Sequence, residues 1–211
     1  VTGNSVTLRV QEPDYLDGLH PVGERVHYMV VEAGTWILPD GTVIEAGTLN
    51  TANLTADGFE QVSFAADFDA APVVLSQVQG TNGPSFVTTR QQGSTVDGFE
   101  VAMQEEEAST DGVHNAETIG WVAIEAGTGQ FGGFSWEAGR LSGVQGSVTA
   151  APLSLAADGV LAGLSTYGGS DPAWAGGPGL DGTTFNVRVE EDKSLDSETA
   201  HGNETVDYFA F

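Results

Sequence analysis

Cysteine is absent from the 211 residues, so the chain can form no disulfide and no thiolate metal site. Basic residues are nearly absent too. There are 6 Lys and Arg against 30 Asp and Glu, a net charge of -24, and Lys193 is the sole lysine. Such a field repels nucleic acid and anionic membrane surfaces. It suits high salt, divalent cations or a neutral partner, and it also suits plain solubility in a saline habitat. No stretch approaches the roughly 20 apolar residues of a membrane-spanning helix, so no membrane insertion is expected. No window of about 12 residues carries an apolar stripe at helical spacing. The chain begins at Val1 without a basic-then-apolar leader, which reads as a processed protein or, preferably, a piece excised from a longer one. G-x-S-x-G, H-E-x-x-H and the P-loop are all missing, and no enzyme is expected.

What the chain does contain is one segment written three times. The first copy runs Leu8-Arg-Val-Gln-Glu12, Asp17-Gly-Leu-His20, then Glu24-Arg-Val-His-Tyr28 to Gly34. The second runs Val101-Ala-Met-Gln-Glu105, Asp111-Gly-Val-His114, then Glu117-Thr-Ile-Gly-Trp121 to Gly127. The third runs Val187-Arg-Val-Glu-Glu191, His201, then Glu204-Thr-Val-Asp-Tyr208 to Phe211. Each reads as strand, acidic loop, His, Glu, strand. A repeat decides the architecture before any local feature does. It also argues against a single catalytic constellation.

The strand signals are short, alternating and rich in Val, Phe and Thr, as in Val6–Val10, Gln61–Phe64, Phe99–Met103 and Phe185–Val189. Asp-Gly pairs at 40–41, 57–58, 97–98, 158–159 and 181–182 supply the positive φ angles of tight turns. The fold class expected is all-β, as tandem antiparallel β-sandwich repeats with the first repeat incomplete. Residues 35–127 and 128–211 read as complete units, with Ser147–Thr149 opening the second. Residues 1–34 supply only the C-terminal half of one. A half sandwich exposes an edge and an apolar face. Its front half is expected upstream in the natural chain, in a separate polypeptide, or in a neighbouring subunit by strand complementation.

Phe64 and Phe68, Ala71-Pro-Val-Val-Leu75, Thr95-Val-Asp-Gly-Phe-Glu-Val101 and Trp121-Val-Ala-Ile-Glu125 follow an order that resembles the H-type lectin domain. That resemblance implies a six-stranded antiparallel sandwich, binding of galactose-type sugars and trimeric assembly. The fuller pattern of Gln-Glu, Asp-Gly-x-His and Trp/Tyr-x-x-x-Glu is similar to repeats in very large secreted proteins of marine bacteria, often near calcium-binding repeats. It runs through about two thirds of the chain and speaks to fold more than to ligand. No sugar-contacting residue of the family is carried onto a position here.

Four sets of residues carry candidate chemistry. The acidic loops offer Glu105, Glu107 and Asp111, and Glu191, Asp192 and Asp196, as oxygen ligands for calcium, or else simply a solvated acidic surface. The pairs His20 and Glu24, His114 and Glu117, and His201 and Glu204 are too few per repeat for zinc. They read as structural pins that hold each loop to the next strand. Gly176-Gly-Pro-Gly-Leu-Asp181 matches a calcium nonapeptide in letters but stands alone, and it reads as a glycine loop. Trp136 and Trp174 lie in loop-like contexts without repeat counterparts, and with Tyr167 they are the candidate sugar contacts. These features point to a non-catalytic carbohydrate-binding or adhesion module, secreted or at the cell surface, with a polysaccharide or glycan as partner. The competing reading is a structural repeat of a surface stalk or filament, assembled as a homo-oligomer or by strand complementation and stabilised by calcium.

Overall fold

The computed structural model describes residues 5–16, 23, 25–108 and 111–211. Fourteen strands, all paired antiparallel, and a single 3-10 turn (Thr55–Asp57) make up its regular structure. The strands form two seven-strand units. In the first, β1 (Gly34–Ile37), β2 (Val43–Thr51), β7 (Glu117–Ile124) and β4 (Val73–Val78) make one sheet in the order β1-β2-β7-β4. Its partner sheet is β3 (Glu60–Ser63), β6 (Gly98–Glu105) and β5 (Val87–Gln92), in the order β3-β6-β5. The second unit repeats this plan. β8 (Gly127–Phe131), β9 (Phe134–Val144), β14 (Glu204–Ala210) and β11 (Val160–Leu164) pair as β8-β9-β14-β11. β10 (Thr149–Pro152), β13 (Thr184–Glu191) and β12 (Ala173–Asp181) pair as β10-β13-β12.

Period-two alternation fills the cores. Phe99, Val101 and Met103 of β6 face Ile119, Trp121 and Ala123 of β7. In the second unit Phe185, Val187 and Val189 of β13 face Val206, Tyr208 and Ala210 of β14. Each large side chain buried this way contributes about 1.5–3 kcal/mol. A third apolar cluster joins the units, with Val73 and Ile124 from the first against Trp136 and Ala138 from the second. Two glycines are required by this packing. Gly47 lies opposite Trp121, and Gly139 lies opposite Tyr208. A Cβ at Gly47 would stand 2.5 Å from the Trp121 ring.

Several expectations are corrected. Trp136 does not lie in a loop. It sits in β9, because Phe131-Gly-Gly-Phe134 turns a hairpin with Gly132 at φ 59° and Gly133 at φ 90°. Trp136 also has a positional counterpart: Gly139 matches Gly47 by register, so Trp136 matches Ile44. Trp174 is likewise in a strand, β12. The run Gly176 to Asp181 is not a loop but the rest of that strand, with a bulge between Gly176 and Gly179. The second unit's short strand is Thr149–Pro152, not 147–149. Val6–Val10 carries no strand.

Candidate functional site

The two His–Glu pairs that lie among the described residues have closely similar surroundings. His114 Nδ1 lies 3.0 Å from Glu105 Oε1, and its Nε2 lies 3.6 Å from Glu117 Oε1. His201 Nδ1 lies 3.0 Å from Glu191 Oε1, and its Nε2 lies 3.0 Å from Glu204 Oε1. The glutamate after each histidine accepts N–H groups from the loop between the fourth and fifth strands of its unit. Glu117 accepts from Asn82 N and Gly83 N, and Glu204 from Gly168 N. Each ring covers a glycine of that loop, Gly83 or Gly169, where a Cβ would collide with it. His20 and Glu24 lie outside the described residues.

The hydrogen bond to Glu204 raises the His201 pKa above its ordinary value, against the effect of burial. Burial pushes the Glu204 carboxyl upward, but His201, Thr166, Arg90 and the Gly168 N–H together hold it below the usual carboxylate range.

Charge pairs invisible in the sequence close the junction between the units. Arg90 of β5 donates to Glu204 Oε1 at 2.7 Å and to Gln104 Oε1 at 2.8 Å, and its guanidinium lies 4.8 Å from the centre of the Tyr167 ring. Desolvation lowers the Arg90 pKa, while Glu204 and Tyr167 oppose it. Asp207 of β14 receives Arg140 Nε at 2.6 Å and Val74 N, from the first unit, at 2.8 Å. The N-terminal segment makes that last contact again, on the second unit. Val160 takes the place of Val74 by register (opposite Ala210 and Ala123), and His27 takes the place of Asp207 in the threefold repeat. Val160 N donates to His27 Nδ1 at 3.2 Å. The segment around His27 therefore docks on β11 as β14 docks on β4.

The acidic loops also meet at this junction. Glu107 N donates to Asp192 Oδ2 at 3.1 Å and Ala108 N to Ser194 Oγ at 2.9 Å. Burial, then Asp171, Asp196, Asp192 and Glu191, push the Glu107 pKa up. A cleft beside it is lined by Glu105, Glu106, Glu107, Asp171, Tyr167 and Leu195, among others. Carboxylate oxygens of Asp171, Glu191 and Glu198 lie within 4.8 Å of one another. Glu191 is the one expected calcium ligand in that group. Asp192 and Asp196 are not in it, being hydrogen-bonded to Ser194 N and Glu198 N respectively. Among the described residues, Glu105, Glu107 and Asp111 form no such group. Asp171 and Glu198 were missed because neither belongs to the repeated letters.

The three candidate sugar contacts are placed apart. Trp136 is only 5% exposed and stacks on Phe209 with centroids 5.9 Å apart, so its ring faces are not open to a ligand. Tyr167 is half-buried, with Arg90 over its ring and Phe59 at its edge. Trp174 is half-buried, edge-on to Phe86 at 6.0 Å, and its Nε1–H points to Glu190 Oε2 at 3.3 Å. No helix among the described residues is long and apolar enough to cross a membrane.

No protein-family model matches the chain, and no solved structure matches it. Its sequence is 33% identical over 218 residues to halomucin of Haloquadratum walsbyi. The alignment covers 100% of this chain and 2% of halomucin, so the chain spans a very small part of that relative's length.

Proposed function

We propose that the chain is a non-catalytic structural module of a much longer extracellular or cell-surface protein. Its H-type lectin-like sandwiches would act as spacers in a saline medium. The observation that carries this reading is one docking contact made twice, by Asp207 on Val74 of the first unit and by His27 of the N-terminal segment on Val160 of the second. The match of the whole chain inside halomucin supports it. So does a bare face: Tyr28 is 57% exposed, whereas Trp121 and Tyr208, its counterparts in the repeat, are 7% and 6% exposed. Val26 and Val30 beside it are exposed as well. A face of core composition is suited to further strands, from the same polypeptide or a neighbouring one. Hydrogen exchange over residues 25–32 tests this. Strong protection in the natural protein and fast exchange in the 211-residue chain alone are expected. Fast exchange in both would remove the reading.

A second reading, glycan adhesion, is favoured by one surface. The half-buried Trp174 and Phe86 lie together beside Glu190 and the exposed Arg188, an apolar edge next to polar groups. A glycan screen with wild type and Trp174→Ala decides it. Binding lost in the variant would establish an adhesion module, and no binding by wild type would leave the spacer.

A further inference from the structure

The acidic cluster formed by the β11–β12 connection, the end of β13 and the segment after it has a property that a solvated acidic surface lacks. Glu191 is almost wholly buried, with its side chain 3% exposed. Its Oε1 is occupied by His201 Nδ1, while its Oε2 is buried with no hydrogen-bond partner. A buried carboxylate oxygen left without a donor costs about 1–3 kcal/mol or more. The carboxylates of Asp171, half-buried, and Glu198, exposed, converge on the same place. Three carboxylates within 4.8 Å repel one another unless a cation stands between them. Two oxygens bound to one calcium at about 2.4 Å can be at most twice that distance apart, so the spacing fits a common ion.

We infer that Asp171, Glu191 and Glu198 form a site for one hard divalent cation of the calcium class. The donor set is all oxygen. The nearest histidine, His201, has both ring nitrogens directed at glutamates, which disfavours zinc. Calcium accepts mixed carboxylate and water ligation, and an exposed Glu198 leaves room for water. The ion would also neutralise the meeting of the two acidic loops, since Glu107 of the first unit stands next to Asp171 and Glu191. The first unit holds the same buried, unpartnered oxygen on Glu105 Oε2. By strand register, however, Ser85 stands where the second unit has Asp171. With one carboxylate fewer, that position is not a second site, and the stoichiometry is one ion per chain. This inference does not rest on the spacer reading, because an adhesion module would hold the ion equally well.

Calorimetric titration of the chelator-treated 211-residue chain with calcium chloride tests the inference. Sodium chloride at about 1 M screens diffuse binding to the acidic surface. One saturable site is expected. Glu198→Gln and Asp171→Asn should each weaken it by about tenfold or more, while Asp158→Asn, an exposed acid elsewhere, should leave it unchanged. Wild type should melt higher in calcium than in chelator, and Glu198→Gln should lose that difference. With one charge fewer in the cluster, its melting point in chelator should be no lower than that of wild type. No saturable heat up to about 10 mM calcium, or equal binding by wild type and both variants, would overturn the site.

Discussion

Arg90 and Glu204, 114 residues apart in the chain, meet at 2.7 Å with neither side chain exposed to solvent. They belong to different units, so the pair fixes how one sandwich sits against the next. Removing one partner leaves a buried charge without compensation, which costs about 3–5 kcal/mol. Arg90→Met should therefore destabilise the chain by that order in urea melts. The double variant Arg90→Met with Glu204→Gln should recover a large part of the loss. Equal destabilisation by the single and double variants would show that packing, and not charge, dominates there.

The Trp121 and Tyr208 rings each lie over a glycine on the neighbouring strand. Gly47→Ala must push the Trp121 ring aside, and Gly139→Ala must displace the Tyr208 phenol. Overpacking of this kind costs about 1–3 kcal/mol, and thermal melts should show both variants less stable than wild type. A loss well under 1 kcal/mol at Gly47 would mean that the indole has room to move.

Acid should weaken the fold through Glu204 and Glu137. Burial opposes ionisation of both, but hydrogen bonds prevail and their pKa values lie below the ordinary 4.5. For Glu137 those bonds come from Ser154 and the Tyr208 hydroxyl. The unfolded carboxyl groups take up protons first as pH falls. The stability these groups supply is thus complete above about 4.5 and is lost as pH drops through their folded values. Denaturant midpoints should fall on this acid limb, and Glu137→Gln should flatten it. An unchanged limb in that variant would deny Glu137 its part.

His114 holds the loop between β4 and β5. His114→Ala removes a ring that covers Gly83 and touches both Glu105 and Glu117. A loss of about 1–3 kcal/mol is expected, with faster hydrogen exchange confined to residues 79–86. Exchange that rises evenly across the first unit would instead mark His114 as part of the global core.

The all-β class was legible in Phe99-x-Val101-x-Met103 and its partners, because alternation reports a half-buried strand directly. The hairpin of β8 and β9 was also signalled, by Phe131-Gly-Gly-Phe134, yet Trp136 within it looked like a loop residue. It has no counterpart in the repeated letters, whereas packing against Phe209 and Val73 decided its burial. Arg90, Arg140 and Asp207 could not be read as a site at all. Nothing local marks them, and only the docking of two units brings them together. The composition carries one trace of them: with 6 basic residues against 30 acidic ones, arginine is scarce. Asp171 and Glu198 lie outside the repeated letters that mark Glu105 and Glu191, so nothing in the sequence groups them.

In each unit the first long strand and the last lie side by side and run oppositely, with Ile44 opposite Ile124 and Glu137 opposite Ala210. The polypeptide thus comes in and goes out at one end of each sandwich. Tension between the two chain ends of the first sandwich would act across the β2–β7 ladder rather than along it. Its hydrogen bonds would then break one after another, as a zip opens, and not all together in shear. A sandwich loaded at its two chain ends would thus open from that end, strand by strand.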